Sequence, residues 1–330
     1  MRVWRGRSRS VFLAFGIGAS LAPAGYATGT VSEVGQLEAR PSGTSSVETD
    51  LRRPRQADPL RIRITYPRAR GRYPLIVFSH GAGGSGDNYQ DLTRFWSEHG
   101  YVVVQPTHLD SRKALGRMPR REELSRWGER ASDIRLILDS IQPIERVLGP
   151  TRRVDTTRVG VGGHSLGAQT AQLIGGVRPG GATPYAGQDL ADNRADAILV
   201  LSGQGAGREF DEQSWVGAVL PMLVITGTND ESASAGRDST WRREPFDRAP
   251  PGGKHLLFIK DAYHGFGGIS GARLPGPNAG PPNEAHVRIV QTATLRFWDA
   301  YLKNDPAARR FFGQEQASNA FQEQATLISK

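Results

Sequence analysis

Val-Gly-Val-Gly-Gly-His-Ser-Leu-Gly, residues 159–167, sets a serine between two glycines at the end of an apolar run. The spacing Gly163-His-Ser165-Leu-Gly167 is that of a G-x-S-x-G nucleophile elbow, a sharp strand-to-helix turn that holds its serine strained and exposed. Glycine suits both flanks because a Cβ there would collide with the tight turn or with the helix packed on it. The neighbouring sequence agrees. Arg158–Gly162 reads as a strand, and Ala168-Gln-Thr-Ala-Gln-Leu-Ile174 reads as a helix. The bland alternative is a Gly/Ser-rich turn joining two core elements.

Working outward, apolar strands alternate with helical patterns. Val47–Arg52 and Leu60–Tyr66 predict an initial hairpin, and Tyr73–Ser79 and Tyr101–Gln105 predict buried strands. Helices are expected over Asn88–His99 and Arg130–Ile141, and from the elbow to about Gly175. Further strands fall at Ala197–Ser202, Met222–Thr226 and Leu256–Ile259, and a last helix runs from about Asn283 to Leu302. This alternation predicts an α/β fold: a doubly wound, mostly parallel sheet covered on both faces, with no large cap domain. Right-handed crossovers then place the C-terminal ends of the parallel strands on one edge, where ligands collect.

The 330 residues contain no cysteine, which excludes disulfides, thiolate catalysis and Cys-ligated metals. Residues 1–27 combine a basic start (Arg2, Arg5, Arg7, Arg9), a short apolar core (Val11–Leu21) and small residues near Ala24 or Ala27. Together these predict a cleaved signal peptide and a secreted or periplasmic protein, without stable membrane insertion. Removing the four leader arginines from 42 basic residues leaves 38 against 33 acidic ones, or +5 instead of +9. That balance does not point to nucleic-acid binding. Residues 28–46 read as an exposed N-terminal stretch, 47–304 as one catalytic domain, and 305–330 as a polar C-terminal tail that either docks or frays.

A serine hydroxyl is a poor nucleophile at neutral pH and needs a base within hydrogen-bond reach, oriented by a third group. Two candidates follow later strands. Gly227-Thr-Asn-Asp230 comes after Met222–Thr226, and Lys260-Asp-Ala-Tyr-His264-Gly-Phe-Gly-Gly comes after Leu256–Ile259. Ser165, Asp230 and His264 then stand in the Ser…Asp…His order of the α/β-hydrolases, with His264 as base and Asp230 as its orienting acid. Glu231 and Asp211 are the rival acids. The oxyanion hole is expected from the backbone N–H groups of Leu166 and of Ala82, within Ser79-His-Gly-Ala-Gly-Gly-Ser85. A phosphate cradle would need the Lys-Ser/Thr of a P-loop, which this loop lacks. His80 reads as a brace for the loop.

The runs VFSHGAGGSGDNY, GYVVVQPTH, VGVGGHSLG, ITGTND and AYHGF together resemble the α/β-hydrolase superfamily over residues 47–303. More narrowly, they are similar to bacterial dienelactone-hydrolase-like and platelet-activating-factor-acetylhydrolase-like esterases. Two departures stand out. Dienelactone hydrolases use a cysteine nucleophile, and the plasma-type acetylhydrolases carry their acid where this chain reads Val200-Leu-Ser202-Gly. The resemblance implies a serine esterase with neither metal nor organic cofactor. A small-molecule ester is the expected substrate, and short acyl groups are favoured because no extended apolar lid is visible in the sequence. An acyltransferase or peptidase with the same triad is the alternative within this fold, and a binding protein on a degenerate scaffold is the alternative outside enzymology. Arg112–Arg130, with seven cations and three glutamates, reads as a solvated insertion or as a basic rim for anionic esters. Pro179–Asn193 and Gly203–Trp215 are candidates for a partial lid, and Gly271–Pro282 for a wall of the cleft.

Overall fold

The computed structural model describes residues 43–330 except 55, 182, 233–235, 272–276 and 314–320. The expected leader lies outside the described residues. The hairpin forms as its alternation predicts: β1 (Thr44–Leu51) pairs antiparallel with β2 (Leu60–Pro67), Leu51 opposite Leu60. There follow β3 (Gly71–Ser79), α1 (Gln90–Glu98), β4 (Val102–Thr107), two short helices α2 (Arg112–Leu115) and α3 (Arg121–Leu124), α4 (Gly128–Asp139) and α5 (Ile141–Leu148). The second half runs β5 (Arg152–His164), α6 (Leu166–Ile174), β6 (Ala197–Leu201), β7 (Met222–Asn229), α7 (Glu244–Arg248), β8 (Lys254–Tyr263), α8 (Glu284–Leu302), α9 (Pro306–Phe311) and β9 (Ala325–Ser329).

All nine strands join one sheet in the order β1-β2-β4-β3-β5-β6-β7-β8-β9. Pairings from β4 through β8 are parallel, and the edges β1, β2 and β9 run antiparallel to their neighbours. The sheet is therefore doubly wound and mostly parallel. Side chains alternate across it, as strand geometry requires. Leu75 and Val77 of β3 join the core with Ile134, Ile137 and Ala168. Phe78 packs on the opposite face edge-on to Tyr89 and Trp96, at 5.0 and 5.5 Å between ring centroids, and Trp96 meets Trp298 of α8. Burial on both faces explains why β3 reads as a continuous apolar run. Between β6 and β7 no α-helix intervenes among the described residues, so no large cap is built there.

The C-terminal tail docks. Asp305 caps α9 by accepting from the amides of Ala307 and Ala308. Phe312 packs on His255 at 4.2 Å, and β9 adds itself antiparallel to β8, with Ser329 opposite His255. An edge that would otherwise expose unpaired amides and carbonyls is thereby covered.

Candidate active site

Ser165 stands between β5 and α6 with φ 56° and ψ −119°, a conformation that a non-glycine residue keeps only when its surroundings impose it. Crowding imposes it here. A Cβ on Gly163 would lie 2.2 Å from the carbonyl carbon of Gly167, and one on Gly167 would lie 2.0 Å from the carbonyl oxygen of Ser79. The same closeness presses the elbow against the end of β3, where the Ser79–Ser85 loop begins.

Strands β7 and β8 are adjacent and parallel, so the segments that follow them emerge on the same edge. There Nδ1 of His264 lies 2.8 Å from Oδ1 of Asp230. Asp230 is fully buried, while the imidazole of His264 is 19% exposed. Thr226 Oγ1 donates to Asp230 Oδ2 at 2.8 Å, and Ser202 Oγ donates to Oδ1 at 2.9 Å. Ser202 Oγ is also 2.7 Å from His264 Nδ1. Buried Arg242 sets its Nε 3.7 Å from Asp230 Oδ1 and donates through Nη1 to the carbonyls of Ser202 and Gly203. Burial alone would raise the Asp230 carboxyl, but the His264 hydrogen bond and the Arg242 charge outweigh it and hold the group at about 2. An ionised carboxylate only accepts, so the neutral imidazole carries its proton on Nδ1 and keeps a lone pair on Nε2.

Of the rival acids, Asp211 accepts from the Gln213 amide and Ser214 Oγ within its own turn, and Glu231 is exposed. His264 is tied to the elbow through the preceding residue: the His164 and His264 rings lie 4.7 Å apart between centroids. Among the described residues neither Ser165 Oγ nor His264 Nε2 carries a hydrogen bond.

Leu166 opens α6, so its N–H belongs to the unpaired first turn of the helix. Ala82 is exposed, and its amide has no partner among the described residues. The carbonyl of the preceding Gly81 is held inward by His80 Nδ1 and by the Gly84 amide, with a buried guanidinium behind them. Arg130 donates to the carbonyl of His80 at 2.6 Å and reaches that of Gly81 at 3.4 Å. Across a trans peptide C=O and N–H point oppositely, so drawing the Gly81 carbonyl inward turns the Ala82 N–H outward. Arg130 is itself held by Asp110 at 2.7 Å, both being buried. Burial would raise the Asp110 carboxyl, but the Arg130 charge holds it below its ordinary value. His80 does brace this loop, with Nδ1 2.7 Å from the Gly81 carbonyl and Nε2 accepting from the His108 amide.

Behind the loop lies a second Ser-His-Asp line that sequence spacing does not reveal. Ser79 Oγ is 2.9 Å from His108 Nε2, and His108 Nδ1 is 2.8 Å from Asp133, which forms a two-bonded pair with Arg53. Ser79 and His108 are fully buried, and Arg130 Nη1 points at the Ser79 hydroxyl from 3.4 Å. No substrate can reach this serine. The line braces the end of β3.

The 112–130 segment divides accordingly. Lys113, Arg117 and Arg126 pair with Asp87, Glu123 and Glu129 at the surface, whereas Arg130 is structural. Its start leans on the Ser79–Ser85 loop, the Arg112 amide donating to the Gly83 carbonyl at 3.0 Å. The two lid candidates pack on each other, the Gly180 amide donating to the Glu209 carbonyl, and the amide of Arg178 just before the first donates to the Ser214 carbonyl. Part of the Gly271–Pro282 wall, residues 272–276, lies outside the described residues. Among the described residues no group of three or more histidine or acidic side chains is arranged to hold a metal ion, and no helix is long and apolar enough to cross a membrane.

A family model described as chlorophyllase matches residues 27–175, the span that holds the Ser79–Ser85 loop and the elbow. Chlorophyllase-1 of Arabidopsis thaliana is 34% identical over 74 residues, 22% of this chain and 22% of that protein. The match thus spans about a fifth of the plant relative's length. A solved structure, the ferulic acid esterase from Streptomyces cinnamoneus, aligns with a TM-score of 0.58 at 18% identity. It covers 81% of this chain and 92% of that one, a likeness of fold.

Proposed function

We propose that this chain, a carboxylesterase-type member of the α/β-hydrolase superfamily, hydrolyses carboxylic esters through an acyl-enzyme on Ser165. The observation that carries the reading is the buried, ionised Asp230 bonded to Nδ1 of His264, on a loop lying against the elbow. Ser165 Oγ attacks the ester carbonyl while its proton passes to His264 Nε2. The developing oxyanion is received by the amides of Leu166 and Ala82. Collapse breaks the C–O bond, and the alcohol leaves with the proton from His264. Water repeats the sequence and frees the acid and the serine.

The chlorophyllase family match and the ferulic acid esterase neighbour both support ester hydrolysis, and their different names leave the natural ester to be found by assay. Small or short-chain esters fit a site with no large cap over it. The basic start and short apolar core of residues 1–27 support a cleaved leader and a secreted or periplasmic working protein. Its N-terminus after export should begin near residue 25 or 28.

Turnover of p-nitrophenyl acetate and butyrate tests the reaction. The wild type should hydrolyse both, and Ser165→Ala should lose at least about 10³-fold in kcat. Equal turnover by the two proteins would overturn the assignment.

A further inference from the structure

Tyr89 joins three loops that the proposed reaction needs together. Its phenol oxygen accepts from the Gly81 amide at 3.3 Å and lies 2.9 Å from His164 Nδ1. On its far side the His164 ring sets Nε2 2.8 Å from the backbone carbonyl of His264. A carbonyl oxygen only accepts, so His164 Nε2 carries a hydrogen, and its Nδ1 is the acceptor of a neutral ring. Burial, with His264 nearby, pushes the His164 imidazole down to about 3, which keeps it neutral. Burial likewise pushes the Tyr89 hydroxyl up, which keeps its proton available for donation. Each hydrogen bond then has one donor and one acceptor along the whole line.

The backbone of Tyr89 repeats the connection. Its amide donates at 2.9 Å to the carbonyl of Ser270, in the segment following His264. Its φ of 62° places a bulky residue in the left-handed region, which persists only when surrounding contacts fix it. Both side chains are almost wholly buried, Tyr89 at 2% and His164 at 1% exposure, so water cannot replace these partners.

We propose that Tyr89 and His164 are positioning residues that lock the base loop around His264 to the oxyanion loop at Gly81–Ala82, so that base and oxyanion donors are set as one unit. The proposal rests on the esterase reading for its catalytic consequence, though not for the coupling itself. Loss of the phenol oxygen would free the Gly81 amide and leave His164 Nδ1 without a donor. The amides around Gly81 and those after His264 would then loosen together.

Tyr89→Phe tests this, because it keeps the ring packed on Phe78 and removes only the oxygen. Hydrogen exchange should quicken about tenfold or more at Gly81 and also across residues 264–268. On p-nitrophenyl acetate, kcat and kcat/KM should fall together about tenfold, with KM within about twofold of wild type, as expected when only transition-state geometry is lost. His164→Gln, which keeps a donor for the His264 carbonyl, should retain more kcat than His164→Leu. Faster exchange confined to the Gly81 region, or wild-type kcat in Tyr89→Phe, would overturn the proposal. Should Ser165→Ala turn over like wild type, the esterase reading fails, while the exchange measurement still decides whether the loops are coupled.

Discussion

Ser202 Oγ donates to Asp230 Oδ1 at 2.9 Å from the end of β6, one strand away from the loop that carries the carboxylate. It stands with φ 53°, held by Arg242 through its carbonyl, and its hydroxyl also faces His264 Nδ1. Two strand ends therefore define the position of one acid. A Ser…Asp…His order leaves the acid free to follow either β6 or β7. Here both places are occupied, one by a carboxylate and the other by a hydroxyl bonded to it.

Ser202→Ala removes a hydrogen bond to a buried charged acceptor and should destabilise the fold by about 1.5–3 kcal/mol. Its kcat should fall by no more than about tenfold, because Thr226 and His264 still hold the carboxylate. Asp230→Asn should be far worse, on the order of 10³–10⁴ in kcat, since an amide in that place favours the wrong imidazole tautomer. Steady-state kinetics with urea titrations on both variants separates the two roles. Equal losses in kcat would show that Ser202 does more than hold the acid.

Arg130→Met leaves the Asp110 carboxylate buried without its partner and frees the carbonyl of His80, while that of Gly81 keeps His80 Nδ1 and the Gly84 amide. The expected cost is about 3–5 kcal/mol of stability, with kcat lowered as well because the loop leading to Ala82 loses its anchor at the His80 carbonyl. Pairing it with Asp110→Leu removes the orphaned charge, so the double variant should regain stability while kcat stays low. A double variant that recovers both would contradict a role for Arg130 in setting the oxyanion loop.

Acid should unfold this protein through its buried histidines. Burial, aided by the Arg130 charge, pushes His80 and His108 well below the ordinary histidine value. Burial pushes His164 and His255 down to about 3. The unfolded chain takes up protons at these sites near pH 6.5, whereas the folded chain does not. Stability is therefore fully present above about pH 6.5 and lost as pH falls toward the folded values, each residue contributing a slope of about 1.4 kcal/mol per pH unit. Asp230, held at about 2, adds a further loss only between about pH 4 and 2. Urea midpoints at pH 7.5, 6 and 5 should decline steadily, and a flat series would contradict the assignment.

The alternation of apolar strands and helices carries the fold in the sequence, because strands buried on both faces must be apolar throughout, as Val102-Val-Val and Ala197-Ile-Leu-Val-Leu are. Helix α5 escapes such a reading. Pro143 within Ile141-Gln-Pro-Ile looks like a breaker, yet it occupies the first helical turn, where its missing N–H is not needed. Strand β9 escapes too, since Ala-Thr-Leu-Ile-Ser is short and gains its partner only from the distant β8. Motif spacing singles out Ser165, Asp230 and His264 because each follows an apolar strand. It cannot single out Ser202 or Tyr89, which are single polar side chains made significant by folding. Arg130 is hidden among seven cations, and only burial distinguishes it from the six around it.

The most direct measurement is the intact mass of the protein after exposure to a fluorophosphonate. One adduct should form on the wild type, map to the peptide containing Ser165, slow strongly in His264→Ala and vanish in Ser165→Ala. Labelling that persists in Ser165→Ala, or a wild type that takes up no label, would contradict Ser165 as the activated nucleophile of this fold.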